Sequence, residues 1–363
     1  MNNTEKQITI LDNLLKDIFN IEAVYRQNEK VVFSLTTPFD RTKVIKHTKD
    51  RLKLAGYSFI IDEKDDIILL TIDPTPKNKI PLINIILFIT TFFTIYFIPV
   101  FIKNLDKANF NEILESTITD ISNGAGLIFT FAMISILFVH EMGHYIASRR
   151  RNIVTSWPYF IPAPNFIGTF GAIIKSKSPF WNRRDLIEVG AWGPVAGWVV
   201  AFFWLSFGLT QSSLIPLEQF GLTEMSFSLT GESLLMKFLT LNIIGVAPDG
   251  YFYHLSEAAF AGWVGLLVTA INMLPIGQLD GGHIVYGLFE KKQHLLGKFA
   301  MVGLILLGFQ STVWWMFAAF GLIFGVNHPP TLNDSKPISK SAKTLGIISL
   351  IIMFISFTPI PFR

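Results

Sequence analysis

The stretch "ILFVHEMGHYIASRRR", residues 136–151, sets His140, Glu141 and His144 at the end of an apolar run and directly before three arginines. On a helix, side chains at i and i+4 project from one face, so the two imidazoles point the same way. Glu141, next to the first of them, reaches a water on an ion that the pair would hold. Zinc suits this set because it accepts imidazole and carboxylate and needs no thiolate. With three protein ligands, one coordination position stays open for water. The pKa of that water falls towards about 7, and Glu141 takes its proton during attack on a carbonyl. A His/Glu cluster touching lipid headgroups would use the same letters. The position at the end of a candidate span favours chemistry, since ionisable groups inside a membrane are functional by default.

Composition places that helix in a membrane protein. Of 363 residues, 50 % are hydrophobic and only 16 % charged, and the mean hydropathy is +0.45, too apolar for an ordinary soluble domain. A net charge of +3, with no arginine-rich arm, gives no reason to expect nucleic acid. The absence of cysteine excludes disulfides, iron–sulfur clusters and thiolate zinc sites, so any metal must use His, Asp, Glu or backbone oxygen. The opening "MNNTEKQITILDN" is charged and lacks the apolar core of a signal peptide, so insertion is expected to rest on internal segments.

Residues 1–78 differ from the rest of the chain, with acidic and basic residues in balance. They are expected to form a small soluble α+β domain. Ile8, Leu11, Leu14, Leu15 and Ile18 share one helical face. "AVYRQNEKVVFSL" reads as strand, turn and strand, and "YSFIIDEKDDIILLTI" as a second hairpin. Between them, Asp40 caps a helix over 41–55 that ends at Gly56. His47, set among lysines, reads as solvated. The domain carries no catalytic constellation.

The break falls at "DPTPKNK", and residues 79–363 are expected to form the membrane domain. Residues 80–102 carry no charge and as a helix would be about 34 Å long, enough to span a bilayer. Further spans are expected at 124–147, 186–209, 258–275, 298–310, 313–325 and 344–358, with 298–325 read as a hairpin broken at 310–312. The fold class is therefore a multi-pass α-helical membrane protein with about six or seven transmembrane helices, plus the small α+β domain. Segment 148–185 holds seven Lys/Arg and one acid, whereas 210–257 holds five acids and one lysine. The positive-inside rule then puts the first segment, the N-terminal domain and the opening of the active site on the cytoplasmic side of a cell membrane.

A third ligand is expected near the same side, and "INMLPIGQLDGGHI" (271–284) supplies the candidate, Asp280. Pro275, Gly277, Gly281 and Gly282 interrupt an apolar helix there and let the carboxylate turn inward. Irregular backbone at that depth is tolerated only against protein or a wet cavity. A helix cap is the alternative use of Asp280.

"HEMGH" at 140–144 followed by "NMLPIGQLDGG" at 272–282 resembles the site-2 protease family of intramembrane zinc metalloproteases. The likeness extends to "IGTFGAIIKSKSP" (167–179), "NRRDLIEVGAWGPVAGW" (182–198), "AFAGWVGLLVTAINMLPIGQLDGGH" (259–283) and "NHPP" (327–330), in the manner of the branch with plastid and bacterial members and a soluble N-terminal domain. The resemblance implies one Zn2+ on His140, His144 and Asp280, with Glu141 as catalytic base. It also implies that Asn272 helps to bind substrate backbone or an oxyanion, where an amide donor is useful. A helix-packing hydrogen bond accounts for Asn272 equally well. Many relatives carry a PDZ domain, and nothing between these motifs is long or polar enough to be one, so substrate selection is expected to rest elsewhere, with the N-terminal domain as the candidate.

Residues 156–178 hold too many prolines and glycines for a spanning helix and resemble the family's membrane-dipping strand pair. An edge strand near 168–174 could hold an unwound substrate by strand addition, although a loop packed on the helices is the plainer reading. Gly190, Gly193 and Gly197 read as tight helix packing, Arg184 and Glu188 as an i,i+4 pair, and 228–245 as an amphipathic helix. His283 lies close enough to Asp280 to line the site or merely to pack, and His254, His294 and His328 read as loop residues without a catalytic part. The expected function is hydrolysis of a peptide bond within or near a transmembrane segment of a membrane-protein substrate in the lipid bilayer. A metal-ion transporter using the same His/Asp site is the rival. A di-iron desaturase would need about eight clustered histidines, more than the chain contains.

Overall fold

Val31, Phe33 and Leu35 alternate along one strand and Ile68, Leu70 and Ile72 along another, and all six are buried, the period-two burial of a sheet with one covered face. In the computed structural model, which describes residues 8, 11–12, 14–27, 30–64, 66–73, 80–151, 153, 155–176, 180–216 and 231–361, these strands belong to the first of two units. That unit takes in residues 1–81, 148–157 and 174–179. Its sheet has the order β1-β2-β4-β3, all antiparallel, with β1 Asn20–Gln27, β2 Lys30–Thr36, β3 Phe59–Lys64 and β4 Ile67–Ile72. Both expected hairpins are present, each with part of its turn outside the described residues. The expected helix around Ile8 to Ile18 is described only in part, and Leu11, Leu14, Leu15 and Ile18 there are buried.

Helix α1, Arg41–Leu54, starts on Asp40, whose Oδ1 accepts from the Lys43 N–H at 3.1 Å, and the chain leaves it through Gly56 at φ 80°. His47 is not solvated: it is only 4 % exposed, on the face that also buries Val44, Ile45, Thr48, Arg51 and Leu52. The i, i+3, i+4 period decides its position, and the neighbouring lysines lie on the other faces of the helix. Burial, then the nearby Arg51 charge, lowers its pKa to about 4.

The second unit takes in residues 82–147, 158–173 and 180–363. Among the described residues, three of its helices are long and apolar enough to cross a membrane: α2 Leu82–Lys103, α4 Leu127–Arg150 and α5 Arg183–Leu209. Between the first two lies α3, Phe110–Ser122, a helix outside every span expected from hydropathy. Its signal is local: Asn109 caps the helix by accepting from the Glu112 N–H and in turn donates to the Glu112 carboxylate, a close relative of the capping box. The remaining expected spans fall on shorter helices, α7 Glu257–Asn272, α9 Lys292–Leu307, α10 Val313–Phe324 and α11 Lys340–Ser356, joined by α6 Leu234–Ile243 and α8 Asp280–Phe289. Helix length thus carries three of the six or seven expected crossings.

The core of this unit centres on α7, buried on almost every face. It packs on α5 through glycines: the Leu205 backbone stands against Gly262, and the Ala259 backbone against Gly208. The chain breaks between α9 and α10 at 308–312, where the expected hairpin turns. Strands β5 Tyr159–Pro162 and β6 Thr169–Ile173 form an antiparallel pair, and β7 Ser213–Pro216 pairs with β8 Tyr251–His254. At Gly168, φ is 83° and a Cβ would sit 2.5 Å from the Ile95 Cα of α2, so only glycine brings the two backbones together there. Both oxygens of Glu257 accept from the start of α4, at 2.8 Å from Gly126 N and 3.3 Å from Phe129 N.

Candidate metal centre

Along α4 the buried residues include Phe129, Ala132, Met133, Ile136, Leu137, His140, Glu141 and His144. This is one core-facing stripe of helical period, and the two histidines and the glutamate are its continuation. All three are covered by protein, none more than 8 % exposed. The other element of the site begins where α7 stops. After Asn272 the chain makes a turn over 273–279 and starts α8 at Asp280. Helix α8 packs tightly on that turn because the Met273 carbonyl occupies the place where a Gly281 side chain would be. Asp280 does not cap a helix. The cap position belongs to Leu279, which makes no side-chain cap bond, and Asp280 is the first helical residue.

The structure brings His140, His144 and Asp280 together. The two Nε2 atoms are 3.2 Å apart, and Asp280 Oδ2 lies 3.5 Å from His140 Nε2 and 3.3 Å from His144 Nε2. A tetrahedral zinc with bonds of about 2.0–2.1 Å separates any two donors by about 3.3–3.4 Å, so the triangle has the dimensions that such an ion requires. His144 Nδ1 lies 2.7 Å from the Val189 carbonyl. A carbonyl only accepts, so the proton sits on Nδ1 and the Nε2 lone pair faces the cluster. Glu141 is 4 % exposed, and among the described residues its Oε2 has no hydrogen-bond partner. A buried carboxylate oxygen without a donor is costly, and a water in the site would supply one.

Asn272 closes α7, half-buried, and among the described residues its amide makes no hydrogen bond to another helix.

The glycines of α5 do more than pack helices. A Cβ on Gly193 would land on His144 Nε2, and one on Gly197 would come within 3.0 Å of His140 Nδ1. Their hydrogens form the wall against which both rings rest. Arg184 and Glu188 pair as expected, at 3.0 Å. Two histidines expected in loops lie in regular elements instead: His254 belongs to β8 and His294 to α9. Histidines 283, 294 and 328, spread over 45 residues of sequence, meet in space. His283 Nδ1 is 2.7 Å from His328 Nε2, and His294 Nε2 is 3.1 Å from the His328 carbonyl. No local pattern signals this meeting, because each pair is joined by tertiary folding alone.

Residues 128–313, just over half of the chain, match the profile of Peptidase family M50. Among curated proteins, the chain is similar to the "Probable zinc metalloprotease EGY1, chloroplastic" of Oryza sativa subsp. japonica, 31 % identical over 235 residues, which are 63 % of this chain and 40 % of the relative. The Arabidopsis thaliana protein of that name is 31 % identical over 240 residues, 65 % of this chain and 43 % of its own length. The "Probable zinc metallopeptidase EGY3, chloroplastic" of Arabidopsis thaliana is 25 % identical over 245 residues, 62 % and 41 % of the two chains. The chain thus spans less than half the length of these relatives. No solved structure matches it.

Proposed function

Because the chain belongs to peptidase family M50, we propose that it is a zinc-dependent endopeptidase that cuts a membrane protein within or near a transmembrane segment. One observation carries this reading: the triangle of His140, His144 and Asp280 donors, 3.2–3.5 Å on a side, next to a buried glutamate oxygen that lacks a donor.

Zinc held by His140, His144 and Asp280 would supply a positive charge that acidifies water and draws electron density from a peptide carbonyl. Glu141 then works as general base, taking a proton from water on its Oε2 and passing it to the leaving amine. The Asn272 amide donates to the oxygen on which negative charge develops. A substrate helix hides its amides, so a segment must unwind before attack. Strand β6 offers a backbone edge for the unwound segment, with Gly171 at φ 96° and open space on its Cβ side. The arginines that end α4 and the basic segment around them favour a cytoplasmic opening for the site in a cell membrane, with the domain over residues 1–78 on the same side and available to select substrates.

The test is zinc content and cleavage of a single-pass membrane substrate by the purified chain. Glu141→Gln keeps one zinc and lowers cleavage at least 1,000-fold, roughly the order associated with general bases and charge-stabilising groups, while Asp280→Ala loses the metal. Zinc flux that persists in Glu141→Gln, without any proteolysis in the parent protein, would instead establish the transporter reading.

A further inference from the structure

Gln293, near the start of α9, is fully buried and lies outside the metal cluster, yet its amide is almost completely engaged. Its Nε2 donates to the Pro275 carbonyl at 2.9 Å and to the Val326 carbonyl at 3.0 Å. Its Oε1 accepts from the His328 backbone N–H at 2.9 Å. One side chain therefore joins the turn over 273–279, which delivers Asp280, to the loop over 325–329.

The turn and loop also meet directly. Gly277 N–H donates to the Val326 carbonyl at 2.8 Å, and the Gly325 carbonyl stands where a Gly277 side chain would be, at a residue whose φ is 51°. The loop then grips α8 on the side that carries Asp280. His283, one helical turn after Asp280, contacts His328 through its Nδ1. The Tyr286 ring lies 4.8 Å from the His328 ring, and its hydroxyl donates to Asp334 at 2.7 Å. His328 Nδ1 faces the Pro329 carbonyl, so in the neutral ring it donates there, Nε2 accepts, and His283 Nδ1 is the donor to it. Some of these bonds join α9 to the loop and others reach from α9 or the loop to the turn over 273–279 and to α8, and none touches the metal ligands' own atoms.

We propose that Gln293 is a positioning residue for the metal site: with the loop over 325–329 it forms a strut that fixes the turn before Asp280 and so holds the carboxylate at ligand distance from the two imidazoles. The proposal rests on the zinc reading above and extends it to a residue on a third helix. Groups that orient ligands from outside the coordination shell are commonly worth about 10–100-fold in metal affinity.

The experiment measures the zinc dissociation constant by chelator competition on the full chain in detergent, beside its thermal unfolding. Gln293→Met keeps the shape and removes all three bonds. Its zinc dissociation constant is expected to rise about tenfold, at the lower end of that range. Trp314→Phe is the reference, because it deletes a buried bond to the Pro359 carbonyl that involves neither the turn nor the loop. It is expected to lower thermal stability and leave zinc affinity unchanged. An unchanged zinc affinity in Gln293→Met, or an equal shift in both variants, overturns the strut. If Gln293→Met does not fold, His328→Gln loosens the same strut from the loop side, with a two- to fivefold rise expected and no rise counting against it. A parent chain that binds no zinc, or whose zinc is unmoved by His140→Ala, would overturn the metal reading and the strut with it. Zinc in the parent together with an unmoved Gln293 variant overturns the strut alone.

Discussion

Helix α1 and helix α5 are both built into cores, and they fill their contacts in opposite ways. On α1 the face is packed with side chains: Val44, Ile45, His47 and Leu52 are all buried there. On α5 the space is left open at Gly190, Gly193 and Gly197, and histidines from α4 and α8 occupy it. The first unit is thus most sensitive to what is taken away, and the metal site to what is added. A core built for stability tolerates volume-conserving exchange. A wall built to seat two imidazoles tolerates no extra carbon, because the ring it displaces is already fixed by the Val189 carbonyl.

The largest effect expected from this contrast is at Gly193. Gly193→Ala puts a methyl group on the His144 ring, and zinc retention against a chelator should fall by about 100-fold or more, beyond what loss of an orienting partner usually costs. Normal zinc binding in that variant would show that the ring has room to move and would break the comparison. The first unit should answer to acid. His47 is held neutral in the folded chain, with a pKa of about 4, while the unfolded chain binds a proton below about 6.5. Stability is therefore full above a pH of about 6.5 and declines as the pH falls towards 4, by roughly 2 kcal/mol between pH 6.5 and 5. Hydrogen exchange of the β2 amides reads this slope, and His47→Gln should flatten it. An identical slope in that variant assigns the acid sensitivity to other groups. The smallest effect is at the α1 cap: Asp40→Ala removes one acceptor and should cost about 1 kcal/mol, measured by the same exchange, with zinc content untouched.

Sequence range separates the features that are legible in the letters from those that are not. His140, Glu141 and His144 stand within one helical turn, so their common face is a matter of spacing. Asp280 is readable because prolines and glycines around it break a helix at a depth where broken backbone needs a reason. The two hairpins and the Asp40 cap are equally local. The glycines of α5, by contrast, announce a close approach but not what approaches, and only folding shows the imidazoles there. Gln293 carries no signal, since its three partners are 18, 33 and 35 residues away. His47 misleads for a different reason: its charged neighbours in sequence occupy other faces of the helix, and the period through Val44, Thr48 and Arg51 holds the answer. Helix α3 has its signal in Asn109 and Glu112, a polar pair that hydropathy passes over.

The carboxylate of Glu257 at the start of α4 has a consequence for the opposite end of that helix. Between Gly126 and His140 the helix rises about 21 Å, so a tether at one end sets the depth of the imidazoles at the other. A helix sliding by a single turn would shift them by about 5.4 Å and strand Asp280 without partners. The anchor acts as a stop, keeping a smooth apolar rod from drifting along its own axis under the pull of lipid.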